Sequence, residues 1–155
     1  MSDDVLSIIP VDPWWQPEGD AVERVVQLVK KLVPGTDHGA DMEIDVWWHD
    51  TMALVDCGTN LETISCPWCR AAIDTEWWSD ALTDRYDDGF TTLTVDVPCC
   101  EETTSLNALD YDWPLGFARF QIAVRNPGRA SFSEGELTEL ADGLGQPLKQ
   151  IWAHV

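Results

Sequence analysis

Cys66-Pro67-Trp68-Cys69 and, after 29 intervening residues, Cys99-Cys100 carry the clearest chemistry in this chain. A Cys-x-x-Cys turn brings two thiolates to where one tetrahedral ion can be gripped at metal–sulfur distances of about 2.3 Å, and a second cysteine pair supplies the remaining corners. Coordination of this kind also stabilises a polar stretch that has few large aliphatic side chains to bury, because binding energy at such a site is folding energy. The spacing therefore predicts one structural Zn2+ held by Cys66, Cys69, Cys99 and Cys100. Strand neighbours point to opposite faces, so Cys99 and Cys100 can share an ion only across a sharp turn. Cys57, just upstream, is the alternative ligand in place of Cys99, and His49 is a remoter one. The plainer reading of Cys57 is a small buried hydrophobe.

Cys66-Pro67-Trp68-Cys69 resembles the first knuckle of the zinc-ribbon group, in which two turns, commonly Cys-Pro-x-Cys-Gly, clamp one structural zinc at the tips of β-hairpins. The resemblance covers residues 62–103. Arg70 stands at the usual glycine position. In Val97-Pro98-Cys99-Cys100-Glu101, Pro98 and Cys100 are in register, but valine stands at the first ligand position and Glu101 at the glycine. The resemblance implies that Cys99 substitutes for the missing ligand.

Rival uses of the same cysteines are weaker. A thioredoxin-like site needs a reactive thiolate at a helix N-terminus directly after a strand. Leu61-Glu62-Thr63-Ile64-Ser65 is a poor strand, the helix expected at 78–86 starts late, and the surrounding carboxylates disfavour a thiolate. Structural disulfides suit neither five cysteines nor a start, Met1-Ser2-Asp3-Asp4, that lacks the basic region of a secretory signal. Asp74 with Glu76, Asp84 with Asp87 and Asp88, and Asp110 with Asp112 have no EF-hand register and no partner nucleophile, and read as a solvated face. His38, His49 and His154 lack ligand spacing. No phosphate-cradling loop, nucleophile elbow or HExxH occurs, so no catalytic constellation is expected.

The composition sets outer limits. With 155 residues, 45% hydrophobic and 24% charged, the chain suits a single globular domain spanning 1–155. A net charge of −19 has the wrong sign for nucleic acid or anionic lipid. No apolar run approaches the roughly 20 residues of a membrane span. A cytoplasmic protein is the expectation. Residues 116–155 hold four basic and four acidic residues, so the whole excess of negative charge lies upstream. The nine tryptophans are expected mostly in the core. The doublet Trp47-Trp48, on a strand, should place one indole on each face.

Several elements must position these residues. Val5 to Val11 reads as a strand. A helix follows, opened by Asp20 and Glu23 at capping-box spacing, striped by Val22, Val25, Val26, Val29 and Val33, and stopped by Pro34-Gly35. Met42 to Trp48 alternates as a strand, and Met52 to Val55 is expected to pair back with it across His49-Asp50-Thr51. Thr92 to Val97 alternates as well. Phe120, Ile122 and Val124 mark another strand, Ser133 and Glu136 open a last helix that Gly143 and Gly145 end, and residues 148–155 form the final strand. Strand–helix–strand twice over predicts a ferredoxin-like α+β sandwich. Residues 60–112 are then a zinc-ribbon-like insertion between the two βαβ halves. The functional expectation is a non-enzymatic zinc protein that binds a basic protein partner through an acidic, tryptophan-rich surface, as inhibitor, immunity-type protein or adaptor. The competing class is a thiol oxidoreductase or zinc hydrolase using Cys66 and Cys69.

Overall fold

The computed structural model describes residues 4–33, 42–57 and 60–154 and has a mixed α+β architecture. Its elements run β1 (Asp4–Pro10), α1 (Gly19–Leu32), β2 (Glu43–Val55), β3 (Ile64–Ser65), β4 (Ala72–Ile73), α2 (Thr75–Tyr86), β5 (Thr94–Asp96) and β6 (Thr103–Ser105). A 3-10 turn (Leu106–Ala108), β7 (Asp110–Tyr111), β8 (Gly116–Arg125), α3 (Glu134–Leu144) and β9 (Leu148–His154) complete it. The main sheet has the order β2-β8-β1-β9, with every pairing antiparallel. Leu6 and Ile8 of β1 and Phe120, Ile122 and Val124 of β8 alternate onto one face. There they meet Val22, Val25 and Val29 of α1 and Leu140 and Leu144 of α3. A period of 2 on the strands and 3.6 on the helices thus converges on one apolar layer.

The helix ends divide between expectation and correction. The Ser133–Glu136 capping box forms, and α3 ends on Gly145 at φ +96°, a left-handed cap that glycine adopts without strain. The Asp20–Glu23 box does not form. α1 starts two residues earlier, with Glu18 as N-cap and no side-chain cap bond, and Asp20 lies inside the first turn, where a carboxylate still suits the helix dipole. The stop at Pro34-Gly35 and the role of His38 lie outside the described residues.

β2 is also a correction. It is one strand rather than a hairpin, because both of its halves pair with β8 across a register shift between Trp48 and Ala53. The expectation of a tryptophan core fails too. None of the nine indoles is buried: Trp14, Trp47, Trp48, Trp68 and Trp113 are exposed and the other four are half-buried. The aliphatic and phenylalanine side chains fill the interior instead.

Between Val55 and Gly116 the chain leaves the main sheet and builds two small ones, ordered β4-β3-β7 and β5-β6. This region is not short of apolar contacts, as its composition suggested. Ile64, Cys66, Ile73, Ala81, Phe90, Val95, Val97, Leu106 and Leu109 are buried together with Met52 of β2 and Phe117 of β8. Tyr111 ties three elements, accepting a bond from Trp78 Nε1 at 3.1 Å and donating to the Leu106 carbonyl at 2.5 Å. Gly89, at φ +65°, approaches β2 so closely that an added Cβ would lie 2.5 Å from Cβ of Thr51.

One ion pair has a pH consequence. Arg129 grips Glu136 with both guanidinium nitrogens, at 2.5 and 3.0 Å, and also donates to the Leu32 carbonyl. The Arg129 bonds, aided by the backbone N–H of Ser133, hold the Glu136 carboxyl down to about 2. A carboxyl depressed in the folded state adds stability above its unfolded value of about 4.3, and that stability is lost as the pH falls through the folded value. Arg129→Met should therefore lower the urea midpoint at neutral pH, with the deficit shrinking between about pH 4.3 and pH 2. A deficit that stays constant across that range would show that the stacking of the Arg129 guanidinium 5.3 Å over the Phe132 ring and the bond to Leu32, not the ion pair, are what the substitution removes.

Candidate metal centre

Two hairpin tips build the site. β3 pairs with β4 in the register Ser65↔Ala72, leaving residues 66–71 as a turn; β5 pairs with β6 through Asp96↔Thr103, leaving residues 97–102. The two turns repeat one hydrogen-bond pattern. Cys66 N donates to Ala71 O at 2.9 Å and Arg70 N to Cys66 O at 3.0 Å; Val97 N donates to Glu102 O and Glu101 N to Val97 O, both at 3.0 Å. Val97 therefore occupies the position that Cys66 holds in the first turn, and Cys99 the position of Trp68. Arg70 and Glu101 occupy equivalent places at φ +66° and +59°. That left-handed geometry is one that glycine adopts most easily.

The turns bring the four predicted sulfurs together. Sγ of Cys66, Cys69, Cys99 and Cys100 all lie within 4.8 Å of one another, so the set could hold one metal ion. Cys66 and Cys100 are 3.8 Å apart and Cys69 and Cys99 are 3.3 Å apart. A tetrahedron with metal–sulfur bonds of about 2.3 Å has edges of about 3.8 Å, close to these values, and a disulfide would need about 2.05 Å. All the cysteines are free thiols. The sharp turn that the adjacent pair required is the one over residues 97–102, which the left-handed Glu101 closes.

Exposure and charge divide the four. Cys66 is fully buried, Cys100 is half-buried, and Cys69 and Cys99 are exposed. Burial pushes the Cys66 thiol up, but the backbone N–H groups of Cys69 and Trp68 and the neighbouring sulfurs outweigh it, drawing the thiol down to about 7. The Trp68 amide lies 3.4 Å from that sulfur. Cys99 moves the other way, to about 12, chiefly through its contact with Cys69.

The alternative ligands stay apart. Cys57 is buried with Ile9, Val55, Leu115, Ala118 and Ile151, and burial raises its thiol. It behaves as a small hydrophobe and does not replace Cys99. His49 is likewise outside the sulfur cluster. Two of the carboxylate pairs have structural work: Asp74 caps α2 by accepting from Glu76 N, and Asp112 accepts from Glu62 N. Sequence reasoning missed the Trp68 indole, whose Nε1 donates to Thr103 O and so pins the first turn to the second hairpin. Its only signal was a tryptophan between the two cysteines.

Among the described residues, no helix is long and apolar enough to cross a membrane. Comparison with known proteins finds no matching family model, no matching curated protein and no matching solved structure.

Proposed function

We propose that this is a non-enzymatic zinc protein in which Cys66, Cys69, Cys99 and Cys100 hold one structural Zn2+, and that it binds a basic protein partner through an acidic, tryptophan-rich surface. The observation that carries the metal reading is the meeting of four sulfurs at two hairpin tips with matching hydrogen bonds. Repetition of the turn supports a zinc-ribbon-like element spanning about residues 60–112. The antiparallel order β2-β8-β1-β9, with both helices on one face, supports a ferredoxin-like frame around it. An all-sulfur set suits zinc among the common divalent ions. We place the protein in the cytoplasm, where thiols stay reduced.

Catalytic alternatives fit less well. A thiol oxidoreductase needs its attacking thiolate accessible, whereas Cys66, the first sulfur of the Cys-x-x-Cys turn, is buried. A hydrolytic zinc needs an open position, and four sulfurs fill a tetrahedron. For the partner, the net charge of −19 and five exposed indoles support an inhibitor, immunity-type or adaptor role towards a basic protein.

The metal reading is tested by elemental analysis of protein purified without added zinc. About one equivalent of zinc is expected, with alkylation of the thiols slow until a chelator is added. Metal-free protein, or fast alkylation before chelation, would overturn it.

A further inference from the structure

β2 is an edge strand of the main sheet, paired with β8 alone among the described residues. An unpaired edge presents a row of N–H and C=O groups that an added strand can complete. Trp47 and Trp48 lie on this edge and are 50% and 47% exposed. By the strand register they face opposite sides of the sheet, Trp47 beside Gln121 and Trp48 beside Phe120. Trp48 is anchored edge-on against Phe120, with ring centres 4.8 Å apart. Just downstream on the same strand, Met52 and Leu54 line a groove of about 910 Å³ whose other wall is α2 and the turn after it. Leu82 and Phe90 complete its apolar lining, and exposed Asp87, Asp88 and Tyr86 stand at its rim.

We propose that an extended, lysine- or arginine-bearing segment of the partner docks along this edge. Its backbone adds to β2 beside the tryptophans, and a cationic side chain enters the groove. The aliphatic stem of such a side chain suits Met52, Leu54 and Leu82, and its charged head suits Asp87 and Asp88, with the ring of Tyr86 beside it. A second copy of this chain is a poor occupant, since each copy carries −19 and the edge itself bears Glu43 and Asp50. The inference rests on the basic-partner reading and gives it a place.

The probe is a blocked peptide of alternating lysine and valine, with a glutamate–valine peptide as its counterpart, at near-physiological salt. Binding is read by fluorescence anisotropy and by amide exchange. Trp47→Ser and the pair Asp87→Asn/Asp88→Asn should each weaken the cationic peptide at least about 10-fold. The pair Glu139→Gln/Asp142→Asn, which removes as much charge from α3, should change binding by less than about 2-fold. Protection should rise at β2 amides, and the anionic peptide should not bind. Equal losses from the two charge-matched pairs, or protection elsewhere, would overturn the site while leaving the basic-partner reading intact. No binding of the cationic peptide at millimolar concentration would overturn both.

Discussion

Replacement of Cys66 by serine is expected to release the metal and loosen the segment between β2 and β8 while the main sheet stays folded. Cys66 is the buried corner of the site and the sulfur that backbone N–H groups favour as a thiolate. A structural zinc contributes about 10–16 kcal/mol of binding free energy, so losing one of four ligands should weaken the metal by about 100-fold or more. The unfolding should be local, because the helix-facing layer of Leu6, Ile8, Phe120 and Ile122 with α1 and α3 does not draw on the sulfurs. Amide exchange should rise across β3 to β7 and remain slow in β1 and β8. Cys57→Ser is the control and should keep its full complement of metal. A Cys66→Ser protein that retains zinc through dialysis against a chelator would remove this account of the site.

Phe117→Ala should be strongly damaging while leaving the sulfurs untouched. Phe117 is fully buried, and its ring centre lies 5.2 Å from that of Phe90 in the apolar cluster of the segment between β2 and β8. Being part of β8, it joins that cluster to the main sheet. Truncation of a buried phenylalanine costs about 3–5 kcal/mol, as lost transfer energy plus a cavity. The urea midpoint should fall accordingly while the capacity of the four sulfurs for one metal ion is retained, which separates a packing defect from a ligand defect. A loss under about 1 kcal/mol would mean that this segment is held to the sheet mainly by other contacts.

The two expectations together revise the part that a bound metal would play. Composition suggested a segment that only a sulfur-bound ion could organise. The structure gives that segment a buried apolar cluster as well, and places Cys66 within it. Val95 and Val97 show in the alternation of residues 92–97, but Ile64, Ile73, Leu106 and Leu109 follow no period, so no one window of the sequence displays the whole cluster. They gather only because two hairpins, α2 and the 3-10 turn fold onto Met52 and Phe117.

The same contrast runs through the fold. Most local signals were readable: the alternation of Phe120, Ile122 and Val124, the Ser133–Glu136 box and the glycine cap at Gly145 each lie within a few residues and follow from period or from backbone φ, while the Asp20–Glu23 box misplaced the start of α1 by two residues. Where a signal depends on a distant partner it was not. Residues 43–55 alternate and then break at a turn-like His49-Asp50-Thr51, which is also how a hairpin reads; β8 pairing with both halves makes them one strand. The tryptophans were misplaced for a similar reason, since hydrophobicity alone does not say whether an indole faces the interior or a rim.

For the cysteines the division is clean. Residue types and spacing named the four sulfurs, and the zinc-ribbon resemblance marked Val97 as standing where a ligand would be expected. Convergence within 4.8 Å depends on two turns about thirty residues apart being held tip to tip by packing and by the Trp68–Thr103 bond. Distance between residues far apart in the chain is a property of packed elements, and no local pattern encodes it.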